Sequence, residues 1–348
     1  MDNFKEIKKF IPKIVAYITL PIVITIIVCY EVDVFNVLHP LNVRINENEV
    51  NKNYVKMTYI LNNPNKYNTF VFGSSRVGHI HVDKIKKERC YNMFYSEAVP
   101  KENYDNIKTL INSGYKIDKI YLGVDSYSYT LDYSDHNSEP AFATYEYLKT
   151  HPLKFIDMYF NLSITARSIK QHMLGEIKTT NGSNEILYKY GWNWLFDYGM
   201  TSGFDPKGVK PTIGDCNYIE ETLEDIRAIK NLCDKNDIEL IVFTNPMYCI
   251  TYEASLNVDY YNFLKGLAEI TSYYNFSGYN DITTDTKCYY EASHFTPETS
   301  DMLIEVMWNG KEYPKLLNQG FGFKVTKNNV GELIETLIKG REEYLKNN

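Results

Sequence analysis

Short apolar runs alternate with segments of helical periodicity along most of this chain, and this alternation limits its possible folds more than any other feature. Four runs have the length and composition of buried strands: 68–75, 89–95, 118–125 and 239–246. Apolar residues recur at helical spacing in 102–113, 217–235, 255–274, a stretch beginning near 296, and 329–345. This order predicts an α/β domain with a doubly wound sheet of about five parallel strands and helices on both faces.

An uncharged apolar run at 14–30 precedes this pattern. At about 1.5 Å per residue it nearly crosses a hydrocarbon core of about 30 Å. Lysines precede the run at positions 5, 8, 9 and 13, whereas Glu31 and Asp33 follow it. The positive-inside rule therefore predicts a single-pass protein of the cell membrane, with a cytoplasmic N-terminus and an extracytoplasmic body. A cleaved signal peptide is the alternative, although the run is long for one and no small-residue cleavage site follows it.

These features divide the chain into segments. We expect a cytoplasmic N-terminus at 1–13, a transmembrane helix at 14–30, a stalk at 31–67, an α/β domain at 68–310 and a C-terminal extension at 311–348 that ends in a helix. A stretch rich in Tyr, Asn and Gly, at about 126–216, interrupts the alternation and is interpreted as an insertion beside the site. Its aromatic residues Tyr190, Trp192, Trp194 and Tyr198 fit either a sugar-stacking platform or ordinary hydrophobic packing.

Charge and cysteine content argue against a nucleic-acid-binding protein and against a zinc-binding or disulfide-rich one. The net charge is -7, and no basic patch stands out beyond the first 13 residues, which argues against nucleic acid as a partner. The 31 tyrosines are compatible with a glycan substrate, because sugar rings bind aromatic faces. Six cysteines are scattered without a C-x-x-C pair, which predicts neither a zinc site nor a dense disulfide framework and leaves a single disulfide open.

A serine motif follows the first candidate strand. Gly73 permits a sharp turn, and Ser74, Ser75 and Arg76 follow it at the predicted carboxyl edge of the sheet. Ligands of such sheets bind at this edge, and a nucleophilic serine there can use nearby backbone N–H groups to stabilise an oxyanion. The alternative is that Ser74 or Ser75 only caps a helix, since serine is a preferred N-cap residue.

A histidine motif precedes a predicted helix near the C-terminal end. His294 stands two residues before Thr296, the expected N-cap, and Glu291 lies three residues upstream. A short loop with this spacing can fold the carboxylate against one imidazole nitrogen, leaving the other nitrogen as a base. An ordinary structural histidine is the alternative.

Together the two motifs resemble the SGNH (GDSL-like) hydrolase superfamily, and more closely its membrane-anchored bacterial branch, which includes the teichoic-acid D-alanylation protein DltD. In that superfamily the nucleophile is the third residue of G-D-S, a position that Ser75 holds here in G-S-S. The catalytic histidine closes a D-x-x-H motif, a position that His294 holds here with Glu291 in place of Asp. The similarity covers about 68–124 and 217–307 and implies a flavodoxin-like, SGNH-type domain.

The family's other blocks match less closely. Glu97 stands where a Gly usually supplies an oxyanion N–H, so its side chain must point away. Asp125 stands where an Asn usually donates to the oxyanion, and an ionised carboxylate cannot donate. Asp125 either pairs with Arg76 and orients it towards a substrate carboxylate or phosphate, or forms a structural ion pair. Asn245, before Pro246, either lines the cleft or opens a turn.

The resemblance implies acyl transfer through an acyl-serine at Ser75, with His294 as base, Glu291 as its orienting group and backbone N–H groups near Ser75 and Glu97 holding the oxyanion. It further implies a cell-envelope glycan or teichoic-acid-type polymer as substrate, an acyl donor, and a multipass membrane O-acyltransferase as partner. Neither a metal nor another cofactor is expected. The alternatives are a catalytically inactive binding or assembly subunit with the same fold, and a carbohydrate-binding domain that uses the aromatic insertion.

Overall fold

The computed structural model describes residues 2–40, 50–174, 189–191, 202–211 and 217–347. Its helices are α1 (Asp2–Val32), α2 (Lys52–Leu61), α3 (Pro100–Asn112), α4 (Tyr127–Thr130), α5 (Tyr133–His136), α6 (Tyr145–Thr150), α7 (Pro152–Tyr159), α8 (Leu162–Met173), α9 (Ile219–Lys235), α10 (Cys249–Leu256), α11 (Tyr260–Ile270), α12 (Pro297–Asn309), α13 (Pro314–Leu317) and α14 (Val330–Asn347). Short 3₁₀ helices are Ser75–His79, Val82–Lys84 and Thr286–Cys288. The strands are β1 (Thr69–Phe72), β2 (Cys90–Asn92), β3 (Lys119–Val124), β4 (Glu239–Thr244), β5 (Tyr273–Asn275) and β6 (Phe323–Val325).

These strands form one sheet in the order β2-β1-β3-β4-β5-β6. The pairs from β2 to β5 are parallel, and β6 pairs antiparallel with β5. The predicted α/β class is therefore confirmed, and the four strands named from the sequence are present. All four residues of β1 are buried, as expected for a central strand covered on both sides. The strand order reverses between β1 and β3, and at such a reversal the loops after the strands diverge to leave a crevice.

The sequence pattern did not predict two strands at one edge of the sheet. β5 and β6 have three residues each, and neither is part of an apolar run as long as the one that contains β2. Since Tyr273 pairs with Val325, part of the predicted extension at 311–348 completes the sheet. The helix predicted at 255–274 is instead two helices, α10 and α11, which are separated near Asp259, a residue with a φ of 63°. A left-handed residue cannot continue a right-handed helix.

Helix α1 contains the predicted membrane segment. Residues Phe10–Val32 form a stretch of 23 residues that is long and apolar enough to cross a membrane, and most of its side chains are exposed, whereas Cys29 near its end is buried. The stretch extends beyond the predicted 14–30 at both ends. Pro12 and Pro21 lie within the continuous helix.

The segments predicted as a stalk and an insertion are partly helical. Within the stalk, α2 places Met57 and Ile60 in the main hydrophobic core. The described part of the insertion forms α4 to α8, and its residues Leu148 and Met158 belong to a small second core. Helices α4 to α7 have four to eight residues each, which is too short a window to show a helical period.

Candidate active site

The carboxyl end of β1 places Ser75 where the strand order of the sheet reverses. Gly73 follows the strand with a φ of 146°, Ser74 occupies the N-cap position, and Ser75 begins the short 3₁₀ helix. The Ser74 side chain makes no capping hydrogen bond. Neither serine therefore acts as a simple helix cap: Ser74 Oγ donates to Asp125 Oδ2 at 3.4 Å, and Ser75 Oγ contacts a histidine.

His294 reaches Ser75 from a loop 219 residues away in the sequence. Its Nε2 lies 2.8 Å from Ser75 Oγ, and its Nδ1 contacts the Glu291 carboxylate. Serine, imidazole and carboxylate are thus connected in a line. When Nδ1 carries its proton towards the carboxylate, Nε2 is left as the acceptor for the serine proton.

The loop that carries His294 and Glu291 is closed on itself. Tyr289 and Phe295 form an antiparallel bridge, and the Tyr290 N–H donates to the His294 carbonyl at 3.0 Å. The second carboxylate oxygen of Glu291 accepts the Ser293 N–H at 2.9 Å. Burial by itself raises the pKa of Glu291, but the hydrogen bond and charge of His294 outweigh burial, and the pKa lies below the usual value of glutamate. Glu291 is therefore ionised at neutral pH and can stabilise a protonated imidazole.

No protein-family model matches this chain, and a search of curated proteins finds no similar sequence.

Asp125 connects the segments that follow β1, β3 and β4. Its Oδ1 lies 2.8 Å from Arg76 Nη1, and its Oδ2 accepts Asn245 Nδ2 at 2.8 Å. The Tyr127 N–H also donates to Oδ1, at 2.9 Å. The carboxylate thus acts only as an acceptor, as the sequence predicts for an Asp at this position. Asn245 is fully buried, so it supports Asp125 instead of lining an open cleft.

Arg76 connects this carboxylate to the histidine loop. Its side chain is 2% exposed, and its Nε and Nη2 donate to the Ser293 carbonyl at 3.1 Å and to Ser293 Oγ at 3.0 Å. The guanidinium also lies over the Tyr127 ring, 4.6 Å from its centroid. Burial lowers the pKa of Arg76, but the Asp125 charge outweighs burial and raises it overall. The expected pairing with Asp125 is present, and the other guanidinium nitrogens donate to the histidine loop.

Glu97 follows β2 in a left-handed conformation, with a φ of 58°. Its carboxylate lies 3.7 Å from His136 Nε2, and His136 Nδ1 lies 3.0 Å from the fully buried Glu102. Burial lowers the pKa of His136, but Glu102 and Glu97 outweigh burial and raise the pKa to about 10. A charged histidine therefore holds the Glu97 side chain against α5.

Several supporting residues carry no recognisable signal in the sequence. Lys56 is fully buried and donates to the carbonyls of Asn92 and Phe94, at 3.1 and 2.6 Å, which fixes the loop after β2. Burial, together with the charge of Lys52, holds the pKa of Lys56 well below its usual value. Ser293, the acceptor for Arg76, is also unremarkable in the sequence. These contacts join segments that are distant along the chain, so local spacing cannot reveal them.

The aromatic platform proposed for the insertion is only partly described. Tyr190 is half-buried against the main core, and its carbonyl accepts the Asn92 N–H at 2.8 Å, which favours packing for this residue. Trp192, Trp194 and Tyr198 lie outside the described residues. Within the part of the chain that the structure describes, there is no group of three or more His, Cys, Asp or Glu side chains that could bind a metal ion.

Gly73 is the residue of the serine turn that tolerates substitution least. A Cβ at this position would lie 2.5 Å from Val77 Cγ2 and 2.8 Å from the Gly123 carbonyl oxygen, and the φ of 146° is unfavourable for other residues. We expect Gly73→Ala to lower the free energy of unfolding by about 2–4 kcal/mol, measured by urea denaturation of the full chain in detergent micelles. Gly331→Ala in α14 is the control, because no atom lies near its Cβ position, and it should stabilise by up to about 1 kcal/mol. Equal effects of the two changes would contradict this prediction.

Proposed function

We propose that this chain is a membrane-anchored serine acyl esterase or O-acyltransferase of the SGNH type. The observation that carries the proposal is the line from Ser75 Oγ through both imidazole nitrogens of His294 to the Glu291 carboxylate. Such a line is the arrangement by which serine enzymes activate a hydroxyl for attack on a carbonyl.

The chemistry follows from the positions of these atoms. His294 Nε2 accepts the Ser75 proton as Oγ attacks the acyl carbonyl, and the ionised Glu291 stabilises the imidazolium. His294 then returns the proton to the leaving oxygen, which produces an acyl-serine. Water releases the acyl group in an esterase, whereas a sugar or polyol hydroxyl accepts it in a transferase. Backbone N–H groups near Ser75 and Glu97 hold the oxyanion.

Two features of the backbone support the SGNH type. The strand order from β2 to β5 is that of a doubly wound, flavodoxin-like sheet, whose ligands bind where the order reverses. Ser75 follows β1, which lies at this reversal. Glu97 has the positive φ that favours glycine, the residue that the family usually carries at this position.

The location and substrate follow from the charges around α1 and from the family resemblance. Lysines before the apolar stretch and acidic residues after it favour a cytoplasmic N-terminus and a body outside the membrane. On that side, a cell-envelope glycan or teichoic-acid-type polymer is the acyl acceptor or donor. A multipass membrane O-acyltransferase would supply or take the acyl group, with α1 as a docking element.

A second candidate function is a catalytically inactive binding or assembly subunit with the same fold. The observation that favours it is Asp125, which occupies the place of an oxyanion donor and is engaged as an acceptor by Arg76 and Asn245. In that case the connection between Ser75 and His294 would be a structural remnant.

Labelling with a fluorophosphonate distinguishes the two functions. The reagent reacts with activated serines, so the full-length protein should be labelled and Ser75→Ala should not. Ser74→Ala is the matched control, because the neighbouring hydroxyl bonds to Asp125 and does not contact His294 in the structure, and it should keep its labelling. A folded wild type that shows no labelling, or that loses it equally in Ser74→Ala and Ser75→Ala, would favour the binding subunit.

A further inference from the structure

Helices α7 and α8 are consecutive along the chain and, with Leu174 at the end of α8, carry exposed apolar side chains; we call this segment the α7–α8 surface (152–174). Leu153 and Met173 are 81% and 80% exposed, and Ile156, Leu162 and Leu174 are exposed as well. Among the described residues outside α1, the only other exposed large apolar side chains are Ile338 and Leu345. Five such side chains within 22 residues, on two consecutive helices, are unusual for a segment that faces water.

The α7–α8 surface lies beside the end of the candidate membrane span. Helix α8 packs against α1, and Thr165 Oγ1 contacts Cys29 Sγ at 3.4 Å, with both residues buried. Cys29 precedes Val32, the last residue of the span, by three positions. At about 1.5 Å per residue, Thr165 therefore lies about 4–5 Å inside the end of the apolar stretch.

The charge of the α7–α8 surface is opposite to that of the whole chain. It carries Lys154, Arg167 and Lys170 against Asp157, a net charge of +2, whereas the whole chain has -7. These three cationic side chains are exposed. Cations beside exposed apolar residues are the composition of helices that lie in the boundary between lipid headgroups and acyl chains, where anionic lipids attract them.

We propose that the α7–α8 surface binds the surface of an anionic phospholipid bilayer next to α1. Its apolar side chains enter the headgroup–acyl boundary, and Arg167, Lys170 and Lys154 contact the lipid phosphates. The body then has two attachments to the membrane, the span and this surface, and cannot swing freely about the end of α1. This proposal does not depend on the chemistry at Ser75.

Quenching of tryptophan by brominated acyl chains measures the contact. Met173→Trp, in the full-length protein, would be reconstituted into vesicles of phosphatidylcholine and phosphatidylglycerol with brominated acyl chains, and the wild-type emission subtracted. Leu345→Trp is the matched control, another exposed apolar residue near a helix end, on α14. We expect quenching at position 173 to be at least about two-fold stronger than at position 345. Both sites are exposed, and unchanged circular dichroism and thermal midpoints would verify folding.

The role of charge is tested in the same vesicles. Adding Arg167→Glu and Lys170→Glu to the Met173→Trp protein should reduce the quenching by about two-fold or more, and so should replacing phosphatidylglycerol with phosphatidylcholine. Quenching at position 173 that is no stronger than at position 345 would overturn the proposal and assign the surface to a protein partner. Quenching that is changed neither by the two Glu substitutions nor by the replacement of phosphatidylglycerol would overturn the proposed specificity for anionic lipids.

Discussion

Asp125→Ala is expected to lower the free energy of unfolding by about 3–5 kcal/mol, because it leaves the Arg76 charge buried without its carboxylate. Arg76 and Asp125 are 2% and 1% exposed, so water cannot replace the lost partner without opening the site. The change also removes the acceptor for Asn245 Nδ2 and for the Tyr127 N–H. Urea denaturation of the full-length protein in micelles measures the loss.

Asp301→Ala is the control for this prediction. Asp301 pairs with Lys84 at 2.6 Å, but these side chains are 44% and 42% exposed, so the loss should be about 0–1 kcal/mol. The double variant Arg76→Met/Asp125→Ala should be more stable than Asp125→Ala alone, since it removes the unpaired buried charge. If Asp125→Ala cost no more than Asp301→Ala, the ion pair would not support the site.

His294→Ala is expected to reduce the turnover of p-nitrophenyl acetate by about 10⁴-fold, because Ser75 loses its only proton acceptor in the proposed mechanism. Serine and histidine act as a unit, so Ser75→Ala/His294→Ala should be no slower than either single variant by more than about two-fold. Steady-state kinetics of the full-length protein measures both effects.

His151→Ala is the control for the histidine prediction. His151 is exposed between α6 and α7, where its Nδ1 contacts the Tyr147 carbonyl at 3.0 Å, and its removal should change turnover by less than about two-fold. A His294→Ala enzyme that kept wild-type turnover would exclude His294 as the general base.

The α/β class could be predicted because β1 to β4 are apolar runs and because helices with clear apolar periodicity, α3 and α9, precede β3 and β4. Ser75 and His294 could be selected because each stands next to a structural boundary, the end of β1 and the start of α12. β5 and β6 could not be predicted, because neither of these three-residue strands lies within a longer apolar run, whereas the equally short β2 lies within the run at 89–95. The break between α10 and α11 depends on the single left-handed residue Asp259, and the spacing of the apolar residues gives no indication of it.

The supporting contacts of the site depend on tertiary structure. The sequence suggested the pairing of Arg76 with Asp125 only through their places in the motifs, and it did not predict the hydrogen bonds of the guanidinium to Ser293. Ser293 accepts hydrogen bonds from Arg76 because the loop is closed by the bridge between Tyr289 and Phe295. No local rule predicts that bridge. Lys56 falls within the segment expected to be a stalk, 31–67. The sequence did not predict its burial, because burial of a lysine against backbone carbonyls depends on where α2 packs.

Mapping of the acylated residue tests the central claim most directly. The full-length protein would be mixed with p-nitrophenyl acetate, quenched in acid within a turnover, digested and analysed by peptide mass spectrometry. We predict an acetyl group on Ser75 in the wild type and on no residue in Ser75→Ala, since the acyl-serine is the proposed intermediate. Turnover without acylation of Ser75, or the same turnover in Ser75→Ala, would contradict the assignment of Ser75 as the nucleophile.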